Sequence, residues 1–132
     1  MPTLDEIQKI HDMYGHKNTL GSYLQALRDI GVKKYSTYIR DGHSEYVCSD
    51  GTIVKSQSVH DVYVISAKID KAQFLKTMQA SNDGKMDYFE MSKGFADSGI
   101  ERWEFTTDDR TISYFDTKNN VIYAEGVTDK GH

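Results

Sequence analysis

The chain contains a single cysteine, Cys48, among 132 residues. One thiol cannot form an intramolecular disulfide, and a thiolate metal cluster needs several cysteines. Histidine does not compensate, because His11 and His16 lie five positions apart, whereas two ligands on one helix face are spaced by three or four. We therefore expect no metal site and no cofactor.

The sequence also lacks a long apolar segment and a strong charge of one sign. No stretch approaches the roughly 18–20 apolar residues that span a bilayer, and the first six residues do not have the basic-then-apolar pattern of a signal peptide. The net charge is −4 and the isoelectric point about 5.7, whereas nucleic-acid binding needs a clustered basic surface. These absences predict a cytoplasmic protein with neither membrane nor nucleic acid among its partners.

What is present is enough apolar material for a single core. Leu, Ile, Val and Phe together account for 28 of 132 residues, and 15 aromatic residues are spread along the chain. This content lies just above the level at which disorder becomes the default. A chain of this length fits one ordinary domain. We predict a single folded domain over residues 1–132.

The most informative feature is an internal similarity at a constant offset of 68. Residues 31–59 align with residues 99–127 without a gap, although only four of the 29 positions are identical. The matched positions are turn formers, apolar positions and aromatic residues: Gly31–Tyr35 over Gly99–Trp103, Asp41 over Asp109, Tyr46-Val47 over Tyr114-Phe115, Ile53-Val54 over Val121-Ile122, and Val59 over Val127. A similarity of this length favours one structural unit used twice.

Each half reads as two helices followed by three strands. Capping-box patterns open helices at Thr3–Glu6 and Asp87–Glu90, and Gly31 and Gly99 end the second helix of each half. The alternation that follows is typical of strands, and Asp41-Gly42 predicts a two-residue type I′ turn.

The predicted fold class is therefore α+β. It is a tandem ααβββ repeat, with a mostly antiparallel sheet of about six strands and the helices on one face. The halves span about residues 3–59 and 70–127. Val62–Ile65 reads either as an extra strand or as a buried connector.

Three local clusters could carry chemistry, and each also has a structural explanation. Asp41 and His43 flank a hairpin tip, where Asp-Gly forms the turn and His43 would be the first solvated strand residue. His60-Asp61 has the composition of a base with its orienting acid, but adjacent residues on an extended backbone point to opposite sides. Cys48 lies in a strand next to Asp50, which favours a buried structural thiol over a reactive thiolate.

Four aromatic residues occupy equivalent places in the two halves: Tyr35 with Trp103, and Tyr46 with Tyr114. If the halves pack about a pseudo-two-fold axis, these side chains either line a shared groove for a ligand or fill the interface between helices and sheet.

The turn and core motifs also resemble an uncharacterised bacterial family of about this length. They are Gly31-Val32 with Tyr35, Asp41-Gly42 with Tyr46 and Asp50-Gly51, Asp87-Tyr88, and Ser98–Trp103. Some members of that family lie in prophages and carry the label "phage envelope protein". Because the motifs are turn and core residues, the resemblance implies a shared fold, and it carries over no catalytic residues.

We expect a small cytoplasmic binding or interaction protein of mobile-element origin, which acts without a cofactor as a monomer or homodimer. Its ligand would be a protein or a small molecule, and the candidate binding residues are Tyr35, Tyr46, Trp103, Tyr114, Asp41 and His43. The alternative is a small cofactor-independent enzyme that uses His43, Asp41 and Cys48 at the cleft between the halves. A purely structural phage or host component is a third reading.

Overall fold

The computed structural model describes residues 3–14 and 19–127, which form four helices and one six-stranded sheet. The elements are α1 (Leu4–Tyr14), α2 (Leu20–Asp29), β1 (Val32–Tyr38), β2 (Ser44–Cys48), β3 (Ile53–Lys55), α3 (Lys71–Asn82), α4 (Tyr88–Asp97), β4 (Ile100–Thr106), β5 (Thr111–Asp116) and β6 (Val121–Gly126). The predicted helix end at Gly15, and His16, lie outside the described residues. The predicted α+β class and the ααβββ order of each half are confirmed.

The strands are arranged in the order β3-β2-β1-β4-β5-β6, and every neighbouring pair is antiparallel. In the first half Tyr35 lies opposite Tyr46, and in the second half Trp103 lies opposite Tyr114. Both pairings also carry an irregularity at the start of the first strand of the half. It lies between Val32 and Lys34 in β1 and between Ile100 and Arg102 in β4. The register of the first hairpin of each half therefore matches at the offset of 68. The second hairpins differ by one residue, because Tyr46 lies opposite Val54 whereas Tyr114 lies opposite Tyr123.

Backbone conformations follow the same offset. Six of the seven residues with positive φ in the described ranges form three pairs separated by 68 positions: Gly31 with Gly99, Gly42 with Arg110, and Gly51 with Asn119. Left-handed backbone is unfavourable for residues with a Cβ, so the turn geometry persists in the second half even where glycine does not.

The predicted type I′ turn at Asp41-Gly42 is wrong. A type I′ turn needs positive φ at both central residues, and only Gly42 has it. The connection between β1 and β2 instead spans residues 39–43. It is closed by hydrogen bonds from the Tyr38 amide to the His43 carbonyl (2.9 Å) and from the Gly42 amide to the Tyr38 carbonyl (2.8 Å).

All four helices pack against one face of the sheet, as predicted. The core joins Leu24 and Leu27 of α2, Phe74 of α3 and Phe95 of α4 to the sheet residues that face them. Aromatic contacts dominate this interface, with Phe74 and Phe95 at 5.0 and 5.7 Å from the ring of Tyr114. Strand alternation places the neighbouring residues on the opposite side, where the described ranges contribute no helix. We call that side the open face.

Residues 56–70, which we call the connector, link β3 to α3 without forming a strand. Val62–Ile65 is therefore not an extra strand, and the side chain of Val64 is 83% exposed. The connector is fixed by its backbone at both ends. Tyr63 donates to the carbonyl of Arg40 (2.7 Å), and Ser66 donates to the carbonyl of Ala96 (2.9 Å).

Predicted helix starts agree with the observed caps. Asp87 accepts from the amide of Glu90 (2.8 Å), and Glu90 accepts in return from the amide of Asp87 (3.2 Å). Thr3 and Glu6 form the same reciprocal pair at 3.2 Å. Of the helices described, none combines the length and apolar character needed to cross a membrane.

Candidate functional site

The open face carries a shallow depression of about 350 Å³ where the two halves meet. Its walls come from the central strands β1, β2 and β4 and from the loop before β6: Lys34, Ser36, Tyr38, Glu45, Val47, Glu101, Arg102, Glu104 and Asn119. The volume is at the lower end of the range for small-molecule sites. The depression joins residues from both halves, because β1 and β4 are the strands through which the halves pair.

Tyr38, which lines this depression, forms an aromatic stack with His43. Their ring centroids are 4.6 Å apart and the rings are parallel to within 2°. The equivalent residues of the second half, Thr106 and Thr111, instead share a hydroxyl–hydroxyl hydrogen bond of 2.6 Å. The aromatic pair is therefore specific to the first half.

The imidazole of His43 lies between two carboxylates. Its Nδ1 is 2.6 Å from Asp41 and its Nε2 is 3.0 Å from Glu45. Ionised carboxylates only accept hydrogen bonds, so both contacts are hydrogen bonds only when both ring nitrogens are protonated. The geometry is that of an imidazolium ion.

The electrostatics of the pair agree with this arrangement. Burial lowers the pKa of His43, but the hydrogen bonds to Asp41 and Glu45 outweigh it, and the net pKa is raised from 6.5. Burial raises the pKa of Asp41, but hydrogen bonds from the amide and ring of His43 and from Ser58 outweigh it and lower the pKa to about 2. A histidine held as a cation in this way is a poor general base near neutral pH.

Charged residues around Tyr38 are mostly acidic. Burial raises the pKa of the Tyr38 hydroxyl, and the carboxylate of Glu45 raises it further, while Arg102 lowers it. Glu101 and Glu104 add to the increase. The guanidinium of Arg102 lies 3.9 Å from the centroid of the Phe115 ring and donates to Asn119 at 2.6 Å. Arg102, one of the two cations that line the depression, is therefore already engaged with Phe115 and Asn119.

Three of the four predicted groove aromatics lie in the core. Tyr35, Tyr46 and Tyr114 are each 7% exposed, and burial raises the pKa of all three hydroxyls. Trp103 is half-buried against Tyr88 and Phe95, with ring centroids 6.3 Å away in each case. Their role in ligand binding stays a prediction, and these positions favour the packing alternative.

The predicted enzyme constellation of His43, Asp41 and Cys48 is not assembled. His43 and Asp41 are in contact, but Cys48 shares the helix-facing side of β2 with Tyr46 and is 2% exposed. Burial and the carboxylate of Asp50 raise the pKa of the thiol, which opposes nucleophilic reactivity. Cys48 lies away from His43 because side chains alternate along β2, and Glu45 occupies the side that faces the depression.

His60 and Asp61 do not form an acid–base pair either. Nδ1 of His60 lies 2.7 Å from the backbone carbonyl of Asp61 rather than from its carboxylate. The imidazole is half-buried and stacks on Tyr63 with a centroid distance of 4.2 Å. This residue is a packed part of the connector.

Sequence reasoning missed Tyr38, Glu45 and Arg102. Strand alternation offered one usable signal, since His43 and Glu45 are two residues apart and therefore share a face. Within residues 3–14 and 19–127 no group of three or more His, Cys, Asp or Glu side chains is arranged to hold a metal ion.

Comparison with known proteins identifies a family and no activity. Residues 8–126 match the family model described as "Protein of unknown function (DUF1398)". No curated protein matches the chain.

Proposed function

We propose that this chain, which belongs to the DUF1398 family of proteins of unknown function, is a non-catalytic binding protein whose ligand presents an ammonium or guanidinium group to Tyr38. The observation that carries the proposal is the position of the Tyr38 ring, stacked on His43 on one side and surrounded by glutamates in the open-face depression. In the described ranges, no other ring and no lysine or arginine stacks on Tyr38.

The charge balance of the depression favours a cationic ligand. Glu45, Glu101 and Glu104 contribute three carboxylates to the lining, whereas Lys34 and Arg102 contribute two cations. Beside the lining, the imidazolium of His43 is matched by the carboxylate of Asp41, with Nδ1 and Oδ1 2.6 Å apart, so that an excess of one negative charge remains. Arg102 is turned onto Phe115 and Asn119, and Lys34 lies 3.8 Å from Glu104. The π face of a tyrosine attracts cations, and nearby carboxylates strengthen that preference.

The expected affinity is modest. A cation–π contact contributes about 0.5–1 kcal/mol at an exposed site, and an exposed ion pair contributes about 0.2–1 kcal/mol. Several such contacts sum to at most about 4 kcal/mol, which corresponds to a dissociation constant of about 1 mM or weaker. Tighter binding requires that the cationic group belong to a larger molecule that also covers Val47 and Asn119 at the rim.

The site also lacks the chemistry expected of a hydrolase or transferase. His43 is engaged through both ring nitrogens, and the thiol of Cys48 lies on the other side of the sheet. These features support binding rather than catalysis. Mobile-element origin and a cytoplasmic location remain predictions within this proposal.

A titration followed by amide NMR spectra tests the ligand class. The cationic probe is Nα-acetylated arginine amide, called arginine amide below. Nα-acetylated citrulline amide, called citrulline amide below, is a neutral probe of nearly the same shape, and N-acetylglutamate is an anionic probe. We expect arginine amide to shift the amides of Tyr38, Glu45 and Arg102, with little response to the other two. Equal responses to arginine and citrulline amides, or shifts confined to other regions, would contradict the proposal.

A second titration separates the two sources of the cationic group. A short peptide with one central arginine is compared with arginine amide at equal concentrations. Tighter binding of the peptide at the same residues identifies a partner protein as the ligand, and equal affinity identifies a small molecule.

A further inference from the structure

The start of the connector is held by Asp41 at the tip of the β1–β2 connection. Its backbone carbonyl accepts hydrogen bonds from the amides of Val59 (2.8 Å) and His60 (3.1 Å). Its side chain accepts from the hydroxyl of Ser58 through Oδ2 (2.9 Å). One residue therefore joins the hairpin tip to three consecutive connector residues.

The other oxygen of the same carboxylate belongs to His43. Oδ1 of Asp41 accepts from the amide of His43 (3.0 Å) and from its Nδ1 (2.6 Å). Nε2 of His43 is directed to Glu45 at 3.0 Å. Loss of a ring proton would leave a lone pair facing one of two carboxylates, since neither carboxylate can donate a hydrogen bond.

We propose that Asp41, His43 and Ser58 form a proton-dependent latch that holds the connector on the hairpin tip and releases it when His43 loses its proton. With His43 charged, the Asp41 carboxylate is fixed in the orientation that accepts from Ser58. When the neutral ring keeps its proton on Nε2 and donates to Glu45, the lone pair of Nδ1 faces Oδ1 of Asp41 and repels it. Asp41 then leaves that orientation, and residues 58–63 separate from the tip. This inference goes beyond ligand binding and does not depend on it.

The surroundings of His43 support a transition above the ordinary histidine range. The titratable and charged groups around it come from every neighbouring element: Tyr38 on β1, Asp41 in the loop, Glu45 on β2, Lys55 on β3 opposite Glu45, His60 and Asp61 in the connector, Tyr88 on α4 beside Gly42, and Glu101, Arg102 and Glu104 on β4. The two carboxylates in direct contact raise the pKa of His43 despite its burial.

Only the first half contains this device. The equivalent of Asp41 is Asp109, an exposed residue, and the equivalent of His43 is Thr111. Asp109 therefore provides a matched carboxylate at a hairpin tip without the histidine, where Val127, the equivalent of Val59, donates to the carbonyl of Arg110 (2.7 Å) rather than to Asp109.

Amide hydrogen exchange measured by NMR across the titration of His43 tests the latch. Protection factors, corrected for the intrinsic pH dependence of exchange, are followed for Val59, His60 and Tyr63. We expect a loss of protection of about tenfold or more as His43 deprotonates, as observed through its own ring signals. Ser66 and Asp70, which anchor the far end of the connector on Ala96 and Ser98, should keep their protection.

Two variants make the result specific. His43→Gln should abolish the pH dependence, and Glu45→Gln should move the transition to lower pH because the ring loses one of the two negative charges beside it. Asp109→Asn should leave the pH profile unchanged. Constant protection of Val59 and His60 through the transition overturns the latch, and so does an equal loss at Ser66 and Asp70.

Discussion

Ser36 donates a hydrogen bond of 3.0 Å to Glu104, the residue 68 positions later that occupies the equivalent place in the second half. The two residues also lie directly opposite each other in the β1–β4 pairing. Because β1 and β4 are antiparallel and these equivalent residues face each other, the two strands are related by a local two-fold axis between Ser36 and Glu104. The contact therefore marks the junction of the halves, and it lies on the open face within the proposed site.

A double-mutant cycle on this pair measures how strongly the halves are coupled. Ser36 is 7% exposed, so removal of the Glu104 carboxylate leaves a nearly buried hydroxyl without its acceptor. A hydrogen bond to a charged group contributes about 1.5–3 kcal/mol to stability. We expect Glu104→Ala to lower the free energy of unfolding by an amount in that range, as measured by urea denaturation.

Ser36→Ala and the double variant complete the cycle. We expect a coupling energy between Ser36 and Glu104 of about 1 kcal/mol. This is less than the effect of Glu104→Ala alone, because that variant also loses the contact between Glu104 and Lys34. A coupling energy indistinguishable from zero would show that the Ser36–Glu104 contact does not help to hold the halves together.

Gly42 and Gly51 provide a matched pair for the packing of the connector. Both have positive φ, 79° and 88°, but a Cβ at Gly42 would lie 2.9 Å from Cβ of Val59, whereas a Cβ at Gly51 meets nothing within 4 Å. Gly51→Ala should therefore show only the backbone effect, about 1–2 kcal/mol of destabilisation. Gly42→Ala should be worse by about 1–3 kcal/mol, the usual cost of overpacking.

Thermal and urea denaturation of the two variants provide the comparison. Equal destabilisation would mean that the connector moves aside from the hairpin tip without cost, and it would argue against the close approach of Val59.

Most of the fold followed from local rules that hold along a single strand or helix. The capping residues Thr3 and Asp87 and the glycine ends at Gly31 and Gly99 depend only on nearby sequence. The offset of 68 then supports the same assignments in both halves. The site did not follow, because it depends on the length of one connection. A two-residue turn at Asp41-Gly42 would pair His43 with Arg40, whereas the observed connection pairs Thr37 with Ser44 and so brings His43 beside Tyr38.

The contacts between the two halves could not be predicted from the sequence either. The depression exists because β1 pairs with β4 in a particular register, which places Tyr38 opposite Arg102. Nothing in the repeat itself fixes that register, since the same two meanders could pair through their other edges. The side chains that differ between the halves acquire their neighbours only through this pairing.

Stability should depend on pH through His43 and Asp41. The folded-state pKa of His43 is raised above 6.5, so its contribution is complete below about pH 6.5 and is lost as the pH rises through the folded value. The folded-state pKa of Asp41 is lowered from 3.8 to about 2, so its contribution is complete above about pH 4 and is lost as the pH falls towards about 2. Both contributions are present together only between these limits.

Urea denaturation of the wild type and His43→Gln checks this dependence. The stability difference between them should be largest at about pH 5 and smaller at about pH 8.5. Asp109→Asn serves as the control, with no comparable change between the two conditions. A difference that stays constant from about pH 5 to about pH 8.5 would contradict the ionised pair.

Tyr38→Leu tests whether the aromatic ring, rather than its bulk, recognises a cation. Leucine keeps most of the apolar volume on the open face, while it removes the π face that lies beside Glu45, Glu101 and Glu104. A cation–π contact of about 0.5–1 kcal/mol corresponds to a loss of roughly two- to fivefold in affinity. We expect that loss for arginine amide in NMR titrations. Thr106→Val, at the equivalent position of the second half, should leave the affinity unchanged, and an equal loss in both variants would move the binding site away from Tyr38.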